Sequence, residues 1–214
     1  AQQIRQFFEE NIPHYEYHQL SFREKLWLYQ AYLWYNFITQ DFLSCYRYAS
    51  KWVDLFQQNS ALIQVHPVFY LKGNHYLLES LFYLNNVDSF ERVLTDFEEN
   101  IQDKRIPRDE NISALSFMYL YFNKLNLRFM KGEFANGDLL VDEIIEGIQV
   151  YQNTLDEHHV MVLYYKIASL YFGDDNYKKC IEYLQKIIQD KSLEMREDLM
   201  CFSRILNLVA HYEA

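Results

Sequence analysis

Glycine and proline are scarce here, with five of the first and three of the second among 214 residues. That is too few for the frequent tight turns of an all-β domain, so the expected class is all-α. Cysteine is equally rare. Cys45, Cys180 and Cys201 form no CxxC pair, and all three are read as buried reduced thiols, which points to the cytoplasm. No run of eighteen apolar residues occurs, so no segment is expected to span a membrane. The opening Ala1-Gln2-Gln3-Ile4-Arg5 also lacks the charged-then-apolar order of a signal peptide. Positive charge is in deficit, with 20 basic against 30 acidic residues and a net charge of −10. A polyanion is repelled by such a chain, so neither nucleic acid nor an anionic membrane surface is an expected partner.

Chemical motifs are missing too. There is no Gly-rich phosphate loop, no Gly-x-Ser-x-Gly and no His-Glu-x-x-His. His14 and His18 are four apart with Glu16 between them, but they follow Pro13 in a segment that need not be helical, and further ligands are lacking. His158 and His159 are adjacent, so on a helix their side chains diverge by about 100°. Acidic pairs such as Glu98-Glu99 and Asp109-Glu110 have no partner pattern that places them in a cleft. The expectation is no enzyme, no metal and no cofactor.

Apolar residues make up half the chain, and 18% of it is aromatic, with 19 Tyr and 16 Phe. Periodicity predicts helices over 2–10, 21–38, 41–58, 67–84, 89–101, 110–130, 134–152, 157–172, 175–189 and 195–212. Ser21 with Glu24 and Thr154 with Glu157 have capping-box spacing, and Asp88 with Glu91 is a looser version. Pro67 and Pro107 fall near helix starts.

The clearest pattern lies in 161–191. Tyr164, Ala168 and Tyr171 share one helix face, a turn follows at Gly173-Asp174-Asp175-Asn176, and Cys180, Leu184 and Ile187 share a face of the next helix. Related sets recur: Trp27, Ala31 and Trp34 with Cys45, Ala49 and Trp52; Tyr76, Ser80 and Tyr83 with Val93 and Phe97; Tyr121 and Leu125 with Gly137, Val141 and Ile144. Ile205, Val209 and Tyr212 fit a fifth first helix. The small-residue places Ala31, Ser80, Leu125, Ala168 and Val209 are 49, 45, 43 and 41 residues apart.

This bulky-small-aromatic spacing resembles the tetratricopeptide repeat. The resemblance implies a right-handed α-solenoid of antiparallel hairpins forming one domain over 1–214, with a period longer than the usual repeat of about 34 residues. That length keeps a HEAT-like class open as the alternative. The pattern from Glu24-Lys25-Leu26-Trp27 to His211-Tyr212-Glu213 also resembles long, uncharacterised bacterial repeat proteins. The apolar stripe running to the last residues implies a piece of a longer array, with open ends through which two copies could pair as a homodimer.

Carried over from the family, the concave groove would be lined by Leu28, Tyr32 and Tyr35, then Leu77, Leu81 and Leu84. Phe122, Asn126 and Phe129 would follow, then Tyr165, Ser169 and Phe172. Family members that grip a terminal carboxylate use Lys and Asn there; Leu28, Leu77, Phe122 and Tyr165 occupy the Lys place, and Asn126 alone matches. The implied function is a non-enzymatic scaffold for a protein or apolar peptide ligand. The sensor half of a peptide-responsive regulator is the alternative, and stacking of sugars on Tyr and Trp is a third reading.

Overall fold

The computed structural model describes residues 2–102, 105–189 and 197–214. Among these there are eleven α-helices, one short 3-10 turn and no strand. The helices are α1 (Gln2–Asn11), α2 (Phe22–Thr39), α3 (Phe42–Gln58), α4 (Ala61–Val65), α5 (Pro67–Tyr83), α6 (Val87–Ile101), α7 (Glu110–Lys131), α8 (Asp138–Val150), α9 (Glu157–Gly173), α10 (Tyr177–Ile188) and α11 (Glu197–Glu213). Periodicity located ten of them; residues 190–191 and 195–196 of the expected pattern lie outside the described residues. The short α4 was expected to be a connection.

The chain divides into two compact units, Ala1–Arg108 and Asp109–Ala214. In the first, α3 packs against both α2 and α5, and α6 packs against α5. In the second, α10 packs against both α9 and α11, and α9 also meets α7.

Four helices, α2, α5, α7 and α9, end in one backbone device. Gln40, Asn85, Gly132 and Asp175 have φ of 60°, 51°, 67° and 55°, the left-handed conformation that stops an α-helix. Each donates its N–H to the carbonyl of a phenylalanine three residues earlier: Phe37, Phe82, Phe129 and Phe172. The following N–H reaches back five residues, to the carbonyls of Asn36, Leu81, Arg128 and Tyr171. These two bonds satisfy carbonyls that the helix end would otherwise leave open. At three of the turns the next residue then caps the second helix. Asp41, Asn86 and Asn176 accept from the N–H groups of Ser44, Ser89 and Lys179.

Counting from the left-handed residue aligns the hairpins. Seven places before it stand Leu33, Leu78, Leu125 and Ala168, all wholly buried. Five, nine and twelve places after it stand Cys45, Ala49 and Trp52; Phe90, Leu94 and Phe97; Gly137, Val141 and Ile144; Cys180, Leu184 and Ile187. All twelve are buried. In the first hairpin the Cys45 thiol points at the Leu33 carbonyl, 3.8 Å away. Ala168 and Cys180 hold the same two places in the fourth.

This register corrects the one expected from small residues by two positions in the first two hairpins: Leu33 rather than Ala31, and Leu78 rather than Ser80. Ser80 is buried too, and its hydroxyl is satisfied within its own helix by donating to the Tyr76 carbonyl at 2.7 Å. The close approach of α3 to α5 is at Gly73 instead. A Cβ on Gly73 would lie 2.6 Å from Cδ1 of the buried Trp52, whose Nε1–H donates to the Phe69 carbonyl at 3.0 Å.

Other expectations change as well. The Ser21–Glu24 capping box is present. At α9 the cap is Asp156, and Thr154 instead donates to Glu110 at 2.7 Å. At α6 the cap is Asn86, one residue before the helix, rather than Asp88. Helix α8 begins four residues later than expected, at Asp138, because Asn136 turns left-handed, with φ 57°. Phe134 lies in the space that a Cβ on Gly173 would fill. In α11 the buried stripe is Leu199, Ser203 and Ala210, so Ile205, Val209 and Tyr212 face outward. Cys201 is exposed, not buried.

Two outcomes follow. Leu33→Ala should cost about 2–5 kcal/mol in denaturant unfolding, as core truncations do, whereas Ala31→Leu, at a half-buried place beside a cavity, should cost less than the roughly 1–3 kcal/mol of overpacking a filled core site. Equal losses would return the register to Ala31. For the thiols, burial pushes Cys45 up to about 12 and Cys180 up to about 11, which suppresses the reactive thiolate. A disulfide reagent at neutral pH should therefore modify Cys201 alone in the native protein and all three cysteines in denaturant. Rapid modification of Cys45 or Cys180 in the native state would contradict this.

Candidate functional site

The expected groove residues separate into those that share a surface and those that do not. In the first unit, α1 lies across the α2 positions. The Phe8 ring stacks on Tyr35 with centroids 4.2 Å apart and meets Tyr32 edge-on at 5.2 Å. Tyr32 and Tyr15 share a hydrogen bond at 3.2 Å. Leu28 lines one cavity beside α1, and Tyr32 and Tyr35 line another. Leu77 and Leu81 are only 8% and 2% exposed, so both are core residues, and Leu77 borders a cavity lined by α3, α5 and α6 rather than the expected groove. Leu84 lies just past the end of α5 and is exposed. The cause is the two-residue register difference: places assigned outward in α2 and α5 are rotated by about 200° at 100° per residue.

The second unit needs no such shift. Phe122, Phe129, Tyr165, Ser169 and Phe172 are half-buried, and Asn126 is 7% exposed. The Lys166 ammonium on α9 donates to Asn126 Oδ1 on α7 at 2.6 Å. It sits 5.3 Å from the Phe122 ring centroid and 5.5 Å from that of Phe129. A cation held over two ring faces and an amide oxygen is attracted by both. Asn126 is thus a structural partner of Lys166.

The first unit repeats this contact with other side chains. Trp34 and Asn126 stand six places before their left-handed residues, and Tyr76 and Lys166 nine places before theirs. Trp34 Nε1–H on α2 donates to the Tyr76 hydroxyl on α5 at 3.3 Å. Tyr76 in turn lies 6.3 Å from Phe37, the counterpart of Phe129. Burial raises the Tyr76 pKa, so the hydroxyl keeps its proton. Around this contact Phe37 meets Tyr83 at 6.1 Å, and Tyr83 stacks on Phe42 at 4.5 Å. Trp34 is 51% exposed, Tyr83 50% and Ile38 64%. Trp34, Ile38 and Tyr83 are thus exposed apolar side chains of this unit, with Trp34 held by Tyr76 and Tyr83 held by Phe37 and Phe42.

Sequence reasoning used Trp34, Tyr76 and Tyr83 as core markers. The signal that places Trp34 and Tyr83 outward is the run of Phe, two residues, then Gln40-Asp41 or Asn85-Asn86. A left-handed-tolerant residue followed by a capping residue marks the helix end.

Asp138 at the start of α8 anchors the second unit's face by joining three helices. It accepts from the Tyr171 hydroxyl on α9 and the Lys179 ammonium on α10, both at 2.7 Å. The Lys179 bond, and after it the Tyr171 bond, holds the Asp138 pKa below the usual carboxylate value. Among the described residues no three His, Cys, Asp or Glu side chains gather to hold a metal ion, and no helix is long and apolar enough to cross a membrane. His14 lines both cavities beside α1. Comparison of the chain with protein-family models, curated proteins and solved structures finds no match.

The Asp138 junction gives a signed pH effect. A carboxylate whose folded pKa is depressed contributes stability above its unfolded pKa, near 3.9, and loses it as pH falls through the folded value. Asp138→Asn should therefore lower the denaturation midpoint at neutral pH. The gap to the parent protein should close as the pH falls below the usual carboxylate pKa and through the depressed folded value. A gap that is constant over this range would show that the carboxylate charge has no part in the junction.

Proposed function

We propose that each unit is a segment of a right-handed, tetratricopeptide-like α-solenoid whose first-helix face docks an apolar segment of a partner protein, without catalysis. Three features support the solenoid: the fourfold left-handed turn, the second helix packed between two first helices, and the repeated contact from one first helix to the next. The observation that carries the docking role is the Trp34, Ile38 and Tyr83 surface. Large rings held rigid from behind lose little conformational freedom on binding, and such residues dominate binding energy at protein interfaces. The face suits an amphipathic helix or an extended apolar peptide.

Selection of displayed short peptides against the purified chain tests this. Retained peptides should be rich in aromatic and aliphatic residues. Trp34→Ala and Tyr83→Ala should each weaken binding tenfold or more, as hot-spot truncations do, while leaving the thermal midpoint nearly unchanged. Failure to retain any peptide above background, or affinity indifferent to both substitutions, would overturn the reading.

A further inference from the structure

The cavity of about 520 Å³ beside α1 is separate from the Trp34 surface and is lined mainly by apolar side chains. Phe7 and Phe8 of α1 form one wall, and Trp27, Leu28 and Ala31 of α2 form the other; the connection through Pro13 closes one side. Its size falls within the range of small-molecule sites, roughly 300–1,000 Å³. Two of the lining side chains are held in place. Phe8 is clamped on Tyr35 and Tyr32, and Tyr15, which also lines the space, is tied to Tyr32.

Few polar side chains reach this cavity, and the one of fixed charge is Glu24. Its Oε2 accepts the Ser21 N–H at 2.7 Å in the capping box, and hydrogen bonding with the Ser21 side chain, then with this backbone N–H, holds the carboxyl below its usual pKa. The group is therefore anionic at neutral pH and has a second acceptor oxygen. The remaining lining offers aromatic ring faces, which carry partial negative charge and attract cations. Trp27 already does so: the Arg23 guanidinium lies 5.3 Å from its ring centroid. The net charge of −10 adds to the same preference at long range.

We infer that this cavity is a binding site for a small organic cation with an apolar body, such as an arylalkylammonium. The body fills the space between Phe7, Phe8, Leu28 and Ala31, and the ammonium lies between the Trp27 ring and the Glu24 carboxylate.

The test uses three soluble probes of similar size and different charge: phenethylamine, 3-phenylpropan-1-ol and 3-phenylpropionate. Each is titrated into the full chain while the tryptophan indole N–H signals are followed by NMR. Phenethylamine should saturate with a shift of the Trp27 signal and bind at least tenfold more tightly than the anion. Glu24→Gln keeps the capping geometry, since Gln serves in a capping box as Glu does. It should erase most of the preference for the cation while leaving alcohol binding unchanged. Ala31→Trp should fill the space and abolish binding of all three, with a thermal melt confirming that the variant folds. No saturable binding by any probe, or alcohol and anion binding as tightly as the cation, would overturn the inference. So would a cation preference that survives Glu24→Gln. The outcome does not depend on peptide docking at Trp34, because Trp34→Ala leaves the cavity lining intact.

Discussion

The whole arrangement depends on the left-handed turn that ends α2, α5, α7 and α9. One residue with φ between 51° and 67° reverses the chain, and two hydrogen bonds lock it to the last helical turn. From that point the second helix has only one phase in which places five, nine and twelve all turn inward. The turn thus determines which side of each helix is core. Gly132 accepts this conformation without strain, whereas Gln40, Asn85 and Asp175 carry side chains there. An L residue in the left-handed region costs about 1–2 kcal/mol, and the buried contacts that the turn organises must exceed that cost. Burying one Leu such as Leu33 contributes about 1.5–3 kcal/mol, so each hairpin's core offsets its turn.

Much of the fold was legible in the sequence. Hydrophobic periodicity located the helices, the scarcity of Gly and Pro excluded sheets, and the second-helix sets Cys45-Ala49-Trp52, Gly137-Val141-Ile144 and Cys180-Leu184-Ile187 were placed correctly. The phase of α2 and α5 was not, and the reason is chemical. Both helices are so rich in Trp, Tyr, Phe and Leu that several faces look apolar. Small residues then seemed the natural markers of close approach, but Ala31 borders a cavity and Ser80 bonds within its own helix. In α7 and α9 the polar residues Asn126, Lys166 and Ser169 break the apolar ring, and the phase read from spacing agreed with the structure. The expected groove residues accordingly share one half-buried face in the second unit, and in the first they are split between the core and the contact with α1. The covering of Tyr32 and Tyr35 by α1 depends on a contact at long sequence separation, which no local pattern carries.

The contacts from α2 to α5 and from α7 to α9 show what the hairpins have in common. Trp34 with Tyr76 and Asn126 with Lys166 share no chemistry beyond one donor and one acceptor, yet they occupy matching places. The four turns share only their phenylalanine and their backbone conformation. What recurs between the hairpins is therefore a set of torsion angles and a pattern of burial rather than identical side chains.

The position of the tryptophans has an experimental consequence. All three, Trp27, Trp34 and Trp52, belong to the unit Ala1–Arg108, and none belongs to Asp109–Ala214. Trp52 is fully buried against Gly73, whereas the other two are half exposed. Intrinsic indole emission therefore observes the first unit only, while far-ultraviolet dichroism observes the helices of both. In an unmodified chain, the two signals coincide on heating if the units melt together and separate if they melt independently, so the cooperativity of the molecule can be measured without an added label.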